Sequence, residues 1–519
     1  MAASEKGVVE LVERAENPNG TENGNLLQTM WLTARRNPKV LLYTVMMASG
    51  PMAFGFDIVI VGVVTAIPAF LETFGELYGE QLILPSLWLS LWNAMMSFGL
   101  IVGSVINGPI TDRFGRKVSM ATGAFILSIG IAIVYTSDEP TDITHRRIMF
   151  MFGKIVIGTG LSMLLSTCQT FNSEVAPTKL RAPLLSLFQF SATLGMLIAA
   201  VVAQNETKIG LQRLSYRVCF ATQWALAGTA LLAAVIIPES PVYYLRRGNF
   251  DGARKSLLRL HSADTIDSQI VALQAALDQE RAFEESNQSA TYLQCFKGTN
   301  LRRTRIVVYA SILQQFLGVS FISNGTYFLI TAGMTPSNSV MVLEIVSGLS
   351  MVSNIISWFL ASSVGRRNSL LFGSIGVGII WTSVGISACF KGSTALWYTG
   401  VAMNVVMVFY NLAAGGIGPI VAAETSSIRL RAKTNSVGFF ASSLMSWAFT
   451  FFVPYMFNVG NADWGGKTAF FFTGLSFIAA LVIFLEIPEM KNRTYVELDE
   501  MFEKHIPSRR FKEYARETD

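Results

Sequence analysis

The sequence predicts an all-α membrane protein whose twelve transmembrane helices fall into two six-helix halves. Three observations carry this. Of the 519 residues 51% are hydrophobic and 14% charged, with a mean hydropathy of +0.44, whereas a soluble domain carries roughly 25% charged residues to wet its surface. The apolar residues gather in unbroken runs of about 20, the length that crosses a bilayer as a helix; the period-two alternation of an outer-membrane barrel is absent. The runs come as six, a polar break, and six more.

The first six spans lie near 42–68, 87–109, 118–136, 148–170, 183–203 and 217–237. The second six lie near 306–330, 339–361, 369–390, 396–421, 435–457 and 468–487. The chain therefore divides into an N-terminal tail (1–41), a bundle (42–237), a linker (238–304), a second bundle (305–487) and a C-terminal tail (488–519). Of the 40 Lys and Arg residues, 32 fall on the side of the tails and linker and 7 on the other. Both termini and the linker are then cytoplasmic, and span 1 runs outward. In the linker, Ala253, Leu257 and Leu258, then Ile266, Ile270, Leu273, Ala276 and Leu277 recur at helical spacing, which predicts amphipathic helices under the bundles. The short charged tails are expected to be partly disordered ends.

Several function classes fall away. The net charge is +5, but the basic residues are dispersed among loops, so nucleic acid is not an expected partner. Cys168, Cys219, Cys295 and Cys389 have no paired spacing and read as free, small apolar residues. His145, His261 and His505 are too far apart to suggest a metal site, and no cofactor motif is present. The linker contains no nucleotide loop or nucleophile motif, so nothing supports an enzyme.

The two halves repeat. NGPITDRFGRK (107–117) follows span 2 and ASSVGRRN (361–368) follows span 8; Glu174 precedes Arg181 by seven residues after span 4, and Glu424 precedes Arg431 by seven after span 10. With PESPVYYLRRG (238–248), QQFLG (314–318) and PEMKNRTYVELDEMF (488–502), the chain resembles the major facilitator superfamily and, within it, the sugar porters. ETSSIRLRAKT (424–434) and DWGGKTAFFFTG (463–474) look most like the fungal maltose and α-glucoside permease branch.

That resemblance implies an inner gate at the cytoplasmic face, built from Asp112, Arg113, Arg116, Glu174, Arg181 and Glu239 in the first half and Arg366, Glu424 and Arg431 in the second. Its ion pairs would hold that face shut while the outer side is open, and basic topology signals alone fit the same residues. Each exposed pair contributes about 0–1 kcal/mol. Ser362 and Ser363 replace the Asp-Arg usual in the second half, which predicts a weaker or rebuilt latch there.

Charged groups inside spans cost about 2.5–3.5 kcal/mol each and need a reason. Asp57 in span 1, Lys154 in span 4 and Glu344 in span 8 are the clearest. The resemblance implies a proton-coupling aspartate at Asp57, with Lys154 in place of the usual arginine. Asp57 lies roughly 16 Å and Lys154 roughly 9 Å below the outer boundary, a gap that a lysine stem can bridge. A permanent structural ion pair with no proton turnover is the alternative.

For substrate, the resemblance points to Gln189 on span 5 and to Gln314 and Gln315 on span 7, amides that both donate to and accept from hydroxyls. Neighbouring glutamines diverge by about 100° on a helix, so an irregular span is needed for both to reach one cavity; interhelical amide bonding is the alternative. The family's next polar positions fall on Ser320, Asn324 and Ser446, with Trp447 beside the last, while Pro419 takes the place of a tryptophan. Aromatic stacking would then come from Trp447, Phe409 or Tyr410. AAGGIGP (413–419) predicts a broken or bent span 10, or close packing through its glycines.

The expectation is a monomeric secondary transporter of the plasma membrane, importing a sugar, glycoside or related polyhydroxylated molecule together with protons. An exporter or facilitator of a less polar metabolite is the alternative, and a non-transporting nutrient sensor fits the short tail less well.

Overall fold

The computed structural model describes residues 35, 37–79, 81–176, 178–209, 212–261, 266–286, 291–427, 430–491, 493, 495–511 and 514. Twelve of its helices are long and apolar enough to cross a membrane. In the first bundle they are span 1 (Pro38–Val64), span 2 (Ser86–Phe114), span 3 (Arg116–Tyr135), span 4 (Ile143–Val175), span 5 (Leu187–Thr207) and span 6 (Arg213–Ile236). In the second they are span 7 (Gly298–Ser323), span 8 (Pro336–Ser357), span 9 (Arg366–Ser387), span 10 (Ser393–Ala422), span 11 (Lys433–Phe457) and span 12 (Gly465–Glu486). Each matches one of the apolar runs, and most extend past it at the face that carries the linker.

Close helix approach fixes the bundles. A Cβ on Gly55 of span 1 would lie 1.7 Å from the Ala192 carbonyl oxygen of span 5, and one on Gly195 of span 5 would lie 1.9 Å from that of Met52. At the face opposite the linker, Phe70, Phe74, Trp92, Phe150, Tyr216 and Phe220 form a buried aromatic core, with Trp92 and Phe150 centroids 4.5 Å apart. Beside it a small hairpin, β1 (Glu76–Tyr78) and β2 (Gln81–Ile83), pairs antiparallel with Glu76 opposite Ile83. Arg147 anchors this hairpin through the Phe74 carbonyl oxygen at 2.7 Å and the Glu76 carboxylate at 2.5 Å. Asp138 is buried in the loop after span 3, where it accepts hydrogen bonds from Tyr216 at 2.5 Å and from Arg217 at 2.6 and 2.9 Å. Burial alone would push its carboxyl up, but the bonds from Arg217 and Tyr216 and the charge of Arg217 outweigh that and hold it below the usual carboxylate range.

The linker forms three helices, Pro241–Arg246, Phe250–Leu260 and Ile266–Ser286. They share a small core of Val242, Leu245, Ala253 and Leu277. The C-terminal tail departs from the expectation of a disordered end. Tyr495–Glu503 is helical, and Leu498, Met501, Phe502 and Phe511 are buried. Arg303 at the start of span 7 pairs with Asp499, and Arg302 donates to the Ile506 carbonyl oxygen at 2.8 Å. The apolar residues recur at i, i+3 and i+4, so the tail has a face to bury beneath the second bundle.

Candidate functional site

Asp57 and Lys154 meet in the middle of the first bundle. Lys154 Nζ donates to Asp57 Oδ2 at 2.6 Å, and the two side chains are 1% and 2% exposed. Gln223 of span 6 donates to the other carboxylate oxygen at 3.0 Å. Both oxygens are thus engaged, which is what a carboxylate out of water requires. Gln223 escaped the sequence reading because a glutamine in an apolar span carries no motif. The Asp57 carboxylate is held by spans 4 and 6 of its own bundle, and Val59, two residues along the same helix, lines the central cavity.

That cavity is small, about 20 Å³, which is room for one water. Val319, Ile322, Leu343, Val346 and Met407 give it an apolar wall, and Thr193, Ser350 and Asn404 supply polar atoms. Among the described residues, none of the predicted substrate residues lines it, and they occupy different settings. Gln189 is half-buried, and its side chain has no hydrogen bond to another described residue. Gln314 donates to Ser442 of span 11 at 3.2 Å and accepts from the Tyr410 hydroxyl of span 10 at 3.2 Å. Gln315 is buried and accepts from Ser320 at 2.5 Å; Ser320 also lies 3.5 Å from Thr450. Both glutamines lie on the regular helix Gly298–Phe316, where a divergence of about 100° gives them different neighbours; the span is interrupted only after them, at Gly318. Asn324 is buried and accepts from Asn93 of span 2 at 3.2 Å. Ser446 is half-buried, and Trp447 is exposed and stacked on Phe451 at 5.9 Å. Glu344 is half-buried in span 8.

Span 10 is not broken. It passes through a π-helical turn, Asn411–Gly415, and continues as Gly416–Thr425. Asn411 in that turn is fully buried, and neither amide atom has a partner among the described residues. Such a turn beside buried, unpaired polar atoms is a frequent mark of a functional segment. The Pro419 side chain lies outside the described residues.

At the linker face the two halves build the same latch 250 residues apart. Arg116 donates to Glu174 through Nε at 3.0 Å and Nη2 at 2.5 Å. Arg366 pairs with Glu424 at 2.9 Å, and the second oxygen of Glu424 is buried without a partner among the described residues. The second latch is therefore the looser one; Ser362 and Ser363, the substituted pair, have side chains outside the described residues. Glu239 accepts from the backbone N–H of Arg116 at 2.8 Å and of Lys117 at 3.1 Å. Glu489, which stands 250 residues after Glu239 in the matching PEM segment, accepts from those of Arg366 and Arg367 at 2.9 and 3.2 Å. Each carboxylate caps the positive end of a span, where it is stabilising. It fits there because Gly115 and Gly365, at φ +92° and +97°, leave no Cβ in its way.

Two expectations about the gate change. Asp112 and Arg113 are exposed and form no ion pair among the described residues; their backbone carbonyl oxygens accept from Arg247 and Tyr243 instead. The pairs that do form join helices within one bundle and do not reach across the seam. They are intact while the opposite face is closed. Arg181 and Arg431 have side chains outside the described residues.

Hydrogen bonds that cross the seam, among the described residues, lie at mid-membrane and toward the face opposite the linker. Tyr327 accepts from the Leu84 N–H at 3.0 Å, and Asn458 donates to the Leu84 carbonyl oxygen at 2.8 Å. Gln204 donates to Ser337 at 3.0 Å, and Asn354 donates to Thr193 at 3.0 Å. A Cβ on Gly62 of span 1 would stand 2.7 Å from the Ser323 carbonyl oxygen of span 7. This face is sealed by backbone contact.

A family model described as "Sugar (and other) transporter" matches residues 43–502. The chain belongs to this family. It is 30% identical over 513 residues to "MFS transporter fmqE" of Aspergillus fumigatus, covering 94% of this chain and 92% of that one. It is 26% identical to the "General alpha-glucoside permease" of Saccharomyces cerevisiae, covering 98% and 82%. Its fold is that of the "Inward open conformation of the xylose transporter XylE from E. coli", at a TM-score of 0.73 and 19% identity over 89% of this chain and 99% of that one. The transporter is thus a sugar porter of the major facilitator superfamily, a multi-pass membrane protein with the two-bundle fold and not an enzyme.

Proposed function

We propose that the transporter imports a neutral polyhydroxylated molecule, a sugar or glycoside, in symport with protons. In this reading it works as a monomer in the plasma membrane, with the tails, linker and latches cytoplasmic, and the conformation described is the inward-facing one. The observation that carries the reading is the buried Asp57–Lys154–Gln223 network at the core of span 1, the helix that also touches the central cavity. A proton taken up by Asp57 neutralises one partner of the pair and changes how spans 1, 4 and 6 pack. Val59 passes that change to the cavity along one rigid helix. Gln189, with no partner among the described residues, and the Gln314 and Gln315 pair, once freed from Ser442, Tyr410 and Ser320, offer amides to substrate hydroxyls.

The apolar cavity wall and the internally bonded glutamines favour a second reading, a less polar metabolite carried on the same fold. Uptake by transporter-deficient cells decides between them, across glucose, maltose, trehalose, polyols and aromatic glycosides, with and without a protonophore. Symport predicts uphill uptake of a hydroxylated compound that collapses with the proton gradient. Uptake that equilibrates and ignores the protonophore removes the coupling, and failure of every carbohydrate promotes the second reading.

A further inference from the structure

A cleft of about 610 Å³ opens at the linker face. Spans 2, 3 and 4 and the linker supply its walls, and among the described residues no lining residue comes from the second bundle, so it is distinct from the seam between the bundles. Its volume lies within the range of small-molecule sites, roughly 300–1,000 Å³.

The walls differ in character. Asn107 and Thr111 of span 2 and Ser166, Thr170 and Ser173 of span 4 make one of them polar. Thr170 and Ser173 donate to carbonyl oxygens of their own helix, at 2.9 and 2.8 Å, and Ser166 accepts from Asn107 at 3.0 Å. Thr170 and Ser173 have spent their protons this way and retain acceptor capacity, while Ser166 keeps its proton, so this wall both takes donors from a ligand and offers one. Facing it, Val242, Leu273 and Leu277 of the linker are apolar. The charges at the rim are balanced. Arg116 is paired with Glu174, and Arg246 and Asp112 are opposite in sign.

A neutral molecule with hydroxyls along one edge and C–H groups on its face fits such a cleft, whereas a charged ligand would meet no net counter-charge. We infer that this cleft is a second binding site, for a neutral polyhydroxylated molecule of disaccharide size, separate from the central cavity. A ligand there braces the linker helix Ile266–Ser286 against the end of span 4 that carries Glu174. With the linker cytoplasmic, as the proposed function has it, cargo accumulated in the cell would act back on the transporter through this site.

The test uses the full chain in lipid nanodiscs, where both faces are accessible, with Cys389→Ser removing the exposed native thiol and Ser173→Cys reporting on the cleft. Maltose is the probe and equiosmolar betaine the control. Maltose at about four times its dissociation constant slows maleimide labelling of the reporter about fivefold. Leu277→Trp, which fills the cleft, abolishes that protection, and Ser166→Ala with Thr170→Val, which removes hydroxyls without adding bulk, weakens it. An unchanged labelling rate overturns the inference. So does protection that survives both sets of substitutions, since maltose would then be acting from the central cavity. Labelling is read without transport, so failure of proton-coupled uptake and failure of this site are separate results.

Discussion

Removing one partner of the Asp57–Lys154 pair should cost far more than removing both. With the side chains 2% and 1% exposed, Asp57→Asn leaves a buried ammonium facing two amides, and Lys154→Met leaves a buried carboxylate with only Gln223 as donor. Breaking a buried pair from one side costs about 3–5 kcal/mol, whereas replacing both partners by neutral groups of similar volume is often close to neutral. The double variant Asp57→Asn/Lys154→Met should therefore recover most of the loss of either single variant, a coupling of about 2–4 kcal/mol. Thermal or denaturant unfolding of the four proteins in one nanodisc preparation measures it, and uptake by the same four reports transport. The double variant should fold yet lose uphill accumulation while retaining exchange down a gradient. Additive losses would refute the account of the pair as a desolvated unit. Uphill uptake in the double variant would refute its part in proton coupling.

Gly62→Val places carbon against the Ser323 carbonyl oxygen, where even a Cβ would stand 2.7 Å away. At the 1–3 kcal/mol typical of overpacking, closure of that face is disfavoured by roughly 5- to 150-fold, and a Leu84→Cys/Tyr327→Cys crosslink should weaken accordingly. Glu239→Gln and Glu489→Gln each replace a charged cap on two backbone N–H groups with a neutral one. Both should lower stability by about 0.3–1 kcal/mol or somewhat more, and silence at either position would break the equivalence of the two latches. Asp138 is held below the usual carboxylate value, so its contribution is present above its unfolded value of about 3.9 and disappears as pH falls through the lower folded one. Asp138→Asn should be less stable than the parent at neutral pH, and the gap should begin to narrow below about pH 4 and close as the pH passes the lower folded value; a gap that does not narrow contradicts the assignment.

The spans were legible because bilayer thickness writes itself into run length, and the Asp57–Lys154 meeting because helical rise turns residue number into depth. What hydropathy does not encode is azimuth. Nothing in the sequence says that Gln223 points at Asp57, or that Asn93 and Asn324 meet across the seam, since single polar residues in apolar helices carry no period. The same gap explains the gate. Charge counts place Arg116 and Glu174 on one face of the membrane, but whether they pair with each other or with groups of the second half depends on which sides of spans 3 and 4 they occupy. The 250-residue offset was readable and sufficient to pair Glu489 with Glu239. The ordered C-terminal tail was legible too, in the spacing of Leu498, Met501 and Phe502, and was obscured by reading its charge ahead of its period.

The placement of these contacts bears on what a proton gradient has to overcome. If the Arg116–Glu174 and Arg366–Glu424 pairs spanned the seam, each cycle would break charge-assisted bonds worth several kcal/mol as they left a partly buried site. They are confined to single bundles, so that expense is absent. What opens is the opposite face, held among the described residues by neutral hydrogen bonds from Leu84, Asn93, Gln204 and Thr193 to the second bundle. Neutral contacts of this kind in a membrane average about 0.6 kcal/mol each, so together they resist opening by a few kcal/mol. One proton falling through 100 mV releases about 2.3 kcal/mol. The two quantities are of the same size, so in the proposed symport cycle protonation of Asp57 would tip the equilibrium while neither conformation becomes a trap.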